Sequence, residues 1–312
     1  MNKMNARVKK RSQGRLAKNA ELLILCVPAI VCYALFYYAP MFGLVLAFKD
    51  YKLSKGIWGS QWVGLSNFRY LIESVVLQRI VTNTLAYSFT FIVTGLIINV
   101  AVALLLHEIS HSRGLLKYYQ TTMIFPKFLS WVIVGYITYA LFNPNLGVLN
   151  SILNSLGIEF VDVYQESRYW PGILVFVNLW KSVGIGSMIY FAALIAIDKS
   201  LYEAACIDGA GRIKQIIHIS IPGILPLMTI MSIMAMGGIF SGDFGLFYQI
   251  PRNQSLLYST TDIIDTYIFR SLQNSKYSAA SAVGMVQSVV GLIMVLLANA
   301  VVKRINPQNR MF

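Results

Sequence analysis

Long apolar runs separated by short polar segments fill most of the chain. A helix needs about 20 predominantly apolar residues to cross a hydrocarbon core. Six runs reach that length, at roughly 21–48, 80–106, 119–141, 171–197, 219–240 and 281–302. In lipid each backbone polar group must be satisfied within the protein, and a helix does this inside its own segment. The pattern therefore predicts an all-α integral membrane protein with six transmembrane helices. The first run follows a basic lead, as a signal peptide would. It is too long for one, and no small-residue cleavage site follows it. An uncleaved first helix is expected, with residues 1–20 as a basic cytoplasmic tail and 21–312 as a single transmembrane domain.

Composition agrees. Of 312 residues, 56% are hydrophobic and only 12% charged, with a mean hydropathy of +0.61. A soluble domain carries about 25% charged residues. The net charge of +13 invites a nucleic-acid reading, but its placement opposes it. Lys3, Arg7, Lys9, Lys10, Arg11, Arg15 and Lys18 all precede the first run. Basic residues flanking spans stay on the cytoplasmic side, so the N-terminus is expected there. Six spans return Lys303, Arg304 and Arg310 to the same side. The tail then serves topology and contact with the lipid bilayer, and no nucleic-acid partner is expected. Cys26 and Cys32 lie within the first run and Cys206 in a cytosolic loop, so no disulfide framework is expected.

Between the fourth and fifth runs the chain turns polar and small: Glu203-Ala204-Ala205, Asp208-Gly209-Ala210-Gly211, then Ile219-Ser220-Ile221-Pro222. Residues 199–209 read as a short helix, which Gly209 and Gly211 can end with positive φ. A further helical turn through Arg212–His218 leads to Pro222 in the first turn of the next span. The alanines let a partner surface approach closely, and Glu203 and Asp208 offer it negative charge. The topology puts this loop in the cytosol. The chain has no Gly-x-x-x-x-Gly-Lys-Ser/Thr segment, since Lys181-Ser182 and Lys199-Ser200 lack the glycines. ATP is therefore expected on another polypeptide.

A second motif competes. His107-Glu108-Ile109-Ser110-His111 matches H-E-x-x-H, which on one helix face can hold zinc with the glutamate as general base. Asp208-Gly209 could complete the set, as in intramembrane zinc proteases. The motif sits at the mouth of the second run rather than inside it, and Asp208-Gly209 already belongs to the polar loop. His218 lies in that loop as well. No metal site is expected.

The spacing of the polar loop resembles the EAA loop of permease subunits from ATP-driven importers: EAA, three residues, Gly, nine residues, then I-x-L-P. The one departure is Ile221 where that family usually has Leu. The resemblance spans nearly the whole chain and is closest to the oligosaccharide and polysaccharide (LplB-like) subfamily of binding-protein-dependent ABC sugar permeases. Tyr38-Ala39-Pro40 with Ala47 to Tyr51, Trp62 to Phe68, Phe125 to Val132 and Asp262 to Arg270 carry it, followed by Tyr277-Ser278 and Ala282-Val283-Gly284. The resemblance implies the type I importer permease (MetI-like) fold. It also implies a heterodimer with a second homologous permease, a cytosolic ATPase dimer carrying ATP and Mg, and an external lipid-anchored solute-binding protein delivering an oligosaccharide. The coupling role would fall on Glu203, Ala204, Ala205, Asp208, Gly209, Gly211 and Pro222. An importer of another solute, such as an amino acid or phosphate, is the alternative, because the coupling loop is widely shared.

Polar residues inside spans are costly and tend to face a cavity or a partner. Sugars need amides and flat aromatic faces. Asn178, Trp180, Lys181 and Tyr190 in the fourth run are the leading path candidates. Asn83 and Asn99 in the second, Phe240 and Asp243 at the outer end of the fifth, and Gln287 with Ser288 in the sixth complete the set. The competing role for each is helix-to-helix bonding, and Gly238-x-x-x-Gly242 is a packing spacing.

Overall fold

A computed structural model of the chain describes residues 20–144, 147–157 and 162–305, so the basic tail at 1–19 and Arg310 lie outside the described residues. Five helices there are long and apolar enough to cross a membrane. They are span one (Ile24–Phe48), span two (Val75–Glu108), span four (Ser167–Ile195), span five (Arg212–Gly237) and span six (Tyr277–Ala300). Span two begins where the Ser74 hydroxyl accepts from Val76 N at 3.2 Å. In span four Pro171 stands in the first turn, where its missing N–H costs nothing. The protein is a multi-pass membrane protein.

Spans two and four pack against each other and carry the core. At one end, Val100, Leu106, Tyr190, Leu194 and Ile224 pack together beside the polar loop. At the far end, Trp170 and Leu174 pack with Leu246, Ile250, Leu257 and Ile263. Span one is almost wholly exposed; only its final turns, Phe42–Phe48, pack on span six. Lipid tails are as apolar as leucine, so such a helix can stand off the bundle in a membrane. A two-residue antiparallel ladder, Lys49–Asp50 with Gln61–Trp62, follows it at the far end.

The run at 119–141 is not one straight span. Arg113–Phe128 and Trp131–Phe142 meet at 98°. Pro126 supplies no N–H, and Leu129 and Ser130 adopt extended backbone. The Ser130 hydroxyl then starts the second piece by accepting from Ile133 N at 3.3 Å. Sequence hydropathy sees apolar residues on both sides and misses the break.

A bend in an apolar setting interrupts the helical bonding of its carbonyls; Leu129 N reaches that of Pro126 at 3.2 Å, and Lys181 serves the group. Its ammonium, on span four, donates to the carbonyls of Pro126 at 3.3 Å, Lys127 at 3.0 Å and Leu129. It also lies 5.0 Å from the centre of the Trp131 ring. Span four can come this close because residue 184 is glycine: a Cβ there would lie 2.0 Å from the Met123 carbonyl oxygen. Lys181→Met is expected to lower stability by about 1–3 kcal/mol, since the half-buried Leu129 carbonyl and that of Lys127 lose their donor. A thermal melt in detergent should show the loss, and an unchanged midpoint would contradict this role.

Candidate functional site

The polar loop folds as a helix, an elbow and a second helix. Asp198 caps the first, Lys199–Ile207, by accepting from Ser200 N at 2.9 Å. That bond from the Ser200 backbone, with one from its side chain, holds the Asp198 carboxyl below its ordinary range. Gly209 closes the helix with φ +73°. Ala210 N donates to the Ala205 carbonyl at 2.8 Å and Gly209 N to that of Cys206 at 3.1 Å, the paired bonds of a Schellman turn. Gln215 Nε2 ties the elbow by donating to the Ala210 carbonyl at 3.1 Å. Gly211 differs from expectation: its φ is −67°, and it stands just before the second helix as extended backbone.

That second helix runs without a break into span five, so Pro222 lies well inside it rather than in its first turn. Proline cannot donate to the carbonyl four residues back. The helix widens just before it, over Ile216–Ser220, and Ile221 N reaches the Ile216 carbonyl instead.

Three contacts fix the elbow to the bundle. Arg212 Nη1 lies 2.6 Å from Glu108 Oε2 at the end of span two. The Tyr202 ring lies 5.6 Å from His107, and its hydroxyl is 2.9 Å from the Ser220 hydroxyl. The exposed residues of this loop include Glu203, Ala204 and Asp208 and two isoleucines. Ile207 is 87% exposed and Ile213 74%. Sequence reasoning did not single out these two. Their signal was available as large apolar residues within an otherwise polar, small loop.

The same contacts remove the zinc geometry. Span two ends at Glu108, and Ile109 has left helical backbone. His111 therefore does not share a helix face with His107; its Nδ1 lies 2.9 Å from the Glu108 carbonyl oxygen. The Glu108 carboxylate is already paired with Arg212. Among the described residues no group of three His, Cys, Asp or Glu is placed to hold a metal.

The path candidates fall into two groups. Asn83, Phe240, Asp243 and Gln287 join a polar scaffold at the far end. Asn83 Nδ2 donates to the carbonyls of Ser259 at 3.2 Å and Asp262 at 2.9 Å. Gln287 Nε2 donates to the Phe240 carbonyl at 2.8 Å, and Asp265 accepts from Gly242 N at 2.8 Å. Asp243 accepts from Trp131 Nε1 at 2.9 Å and from Leu246 N at 3.2 Å. At the centre is Asp262, with a fully buried side chain, which accepts from Arg270 at 2.7 Å and Arg79 at 3.3 Å. The sequence showed Asp262 and Arg270 eight residues apart but gave no hint of Arg79.

In span four the candidates diverge. Lys181 turns into the bend, Asn178 is half-buried and Trp180 is exposed. Tyr190 is buried and lines a cavity of about 270 Å³ with Asn99, Gly186 and Ser232. A larger cavity, about 510 Å³, lies between spans two and four at the far end and is lined by Asn83, Tyr87, Phe176 and Thr260. Ser288 bonds back to the Gly284 carbonyl within its own helix at 2.8 Å. The fold gathers no single pocket from all the candidates.

No family model matches the chain. Curated relatives do. Protein LplB of Bacillus subtilis (strain 168) is 32% identical over 94% of this chain and 92% of its own length. The polygalacturonan/rhamnogalacturonan transport system permease protein YteP of the same strain is also 32% identical, covering 95% and 92%. A bacterial ABC transporter involved in import of the acidic polysaccharide alginate contains a chain of the same fold. Its TM-score is 0.86 at 32% identity, covering 95% of this chain and 99% of that one. The alginate transporter bound to a periplasmic protein carrying an alginate pentasaccharide matches at a TM-score of 0.84 and 32% identity, covering 94% and 97%. Such permeases are transport components rather than enzymes, and with the helix–elbow–helix loop in place the chain belongs to the ABC-importer permeases of the oligosaccharide type.

Proposed function

We propose that this chain forms half of the translocation path for an acidic complex oligosaccharide and takes its driving motion from a separate ATPase through the loop at 198–222. The observation that carries the coupling role is the outward face of the elbow. Ile207 and Ile213 stand exposed in the same short loop as exposed Glu203 and Asp208, and Arg212 ties that loop to span two. Large apolar side chains grouped this way mark a docking surface. A basic, partly apolar surface on a cytosolic ATPase dimer complements it, and ATP and Mg belong to that partner. Force on the elbow would reach span five directly, through continuous helix, and span two through the Glu108–Arg212 pair.

The basic residues before span one put the N-terminus and the loop on the cytoplasmic side of a bacterial cell membrane. The far end then faces outward. There a lipid-anchored solute-binding protein would deliver the sugar, and a second homologous permease would supply the other half of the path. The polygalacturonan permease and the alginate importer support an acidic polymer as the substrate class. Of the path candidates, Asn178 and Trp180 keep side chains available, whereas Lys181 is committed to the bend.

Glu203→Lys is expected to cut ATP-driven uptake in proteoliposomes by about tenfold or more, because it sets like charges against a basic partner. Uptake at the normal rate would contradict the docking role. Replacing Ile207 and Ile213 together by glutamate should release the ATPase during purification in mild detergent while the second permease stays bound. Retention of the ATPase would place its docking surface elsewhere.

A further inference from the structure

At the far end, a niche of about 280 Å³, lined by none of the path candidates named above, opens between Trp131–Phe142 and the segment after span five. Gly135 and Tyr136 form one wall; Tyr248, Gln249, Arg252 and Asn253 form the other. Pockets for drug-sized ligands run from roughly 300 to 1,000 Å³, so this one is of a size for a single sugar ring.

The niche is held in shape. A Cβ on Gly135 would lie 2.9 Å from the Gln249 carbonyl oxygen, so the two walls meet backbone to backbone. Arg252 and Asn253 both hold left-handed backbone, at φ +56° and +50°, which side chains other than glycine rarely adopt. Such strain persists only where surrounding structure imposes it. Here the Tyr258 hydroxyl donates to the Asn253 carbonyl at 3.1 Å and lies 2.9 Å from its Oδ1. The Tyr164 hydroxyl holds the Ile250 carbonyl at 3.3 Å.

The chemistry of the lining is that of a carbohydrate site with a cation in it. The Arg252 guanidinium lies 4.1 Å from the centre of the Tyr139 ring and is exposed; among the described residues it makes no salt bridge. A guanidinium offers a planar fork that fits a carboxylate. Gln249 and Asn253 bring amides suited to hydroxyls, and Tyr136, 67% exposed, brings a ring face, while Tyr248 is stacked on Phe244. We infer that this niche is an outer subsite that binds one uronate residue of the arriving oligosaccharide, with Arg252 reading its carboxylate. The inference rests on the acidic-oligosaccharide reading above. A concave, ring-sized niche favours a sugar over the flat surface of a docking protein.

The test uses the assembled permease–ATPase complex in nanodiscs, without binding protein, and measures equilibrium binding of trigalacturonate and of its methyl ester. The acid should bind wild type about tenfold or more tighter than the ester, the size of one charge-assisted hydrogen bond. Arg252→Gln should abolish that preference and Arg252→Lys should restore part of it. Tyr136→Ala should weaken acid and ester alike. Equal binding of acid and ester to wild type, no binding of either, or a preference that survives in Arg252→Gln would each overturn the subsite. Uptake by the complete wild-type importer with its binding protein separates the two readings. Trigalacturonate uptake that is normal while the preference at Arg252 is absent overturns the subsite alone. Absence of uptake overturns the substrate reading and the subsite with it.

Discussion

One buried ammonium group organises the middle of this protein. A helix crossing lipid satisfies its own backbone, but the chain breaks its third hydrophobic run at Leu129 and Ser130. Lys181 covers the exposed carbonyls from span four, and the glycine one turn along lets the two backbones touch. Once the break is stable, Trp131–Phe142 can turn nearly at right angles across the far end. Trp131 then reaches Asp243, and Gly245 lies against the Trp131 ring. The far-end scaffold of Asp243, Asp265, Gln287 and Asp262 builds onward from this contact. A cation that looks like a substrate group is a structural cap that makes the outer architecture possible.

The opposite end is organised by a different device. The loop at 198–222 has little buried surface of its own. Its rigidity comes from paired turn bonds, from Gln215 and from the Glu108–Arg212 pair. An exposed ion pair contributes at most about 1 kcal/mol to stability. Its value here is geometric: it joins the end of span two to the start of span five. Continuous helix joins the elbow at Arg212 to span five, with one widened turn, Ile216–Ser220, before Pro222.

Much of this was legible in the residues, and the exceptions have physical reasons. Apolar run length located the long helices, because the thickness of a bilayer sets that length whatever the tertiary contacts. The turn in the polar loop at 198–222 was legible because the order of its small and acidic residues over a short stretch encodes it. Gly209 does what its position suggested, whereas Gly211 needs no positive φ, since the elbow has turned by then. The bend at Ser130 and the role of Lys181 were not legible. Hydropathy cannot see a carbonyl, and the partners are more than fifty residues apart in sequence. The H-E-x-x-H match of His107 and His111 was set aside on its place at the mouth of the second run; the structure adds that span two stops between the two histidines. The Asp262 cluster depends on Arg79 arriving from another span, a pairing that only the folded chain displays.

The central claim is that the elbow is the surface through which a separate ATPase drives this permease. A photoreactive amino acid placed at position 207 in the assembled importer tests it most directly. Illumination in native membranes should yield one major adduct, between this chain and the nucleotide-binding subunit, whose yield changes with bound nucleotide. Adducts only with lipid, or with the extracellular binding protein, would put the loop on the wrong surface and contradict the account.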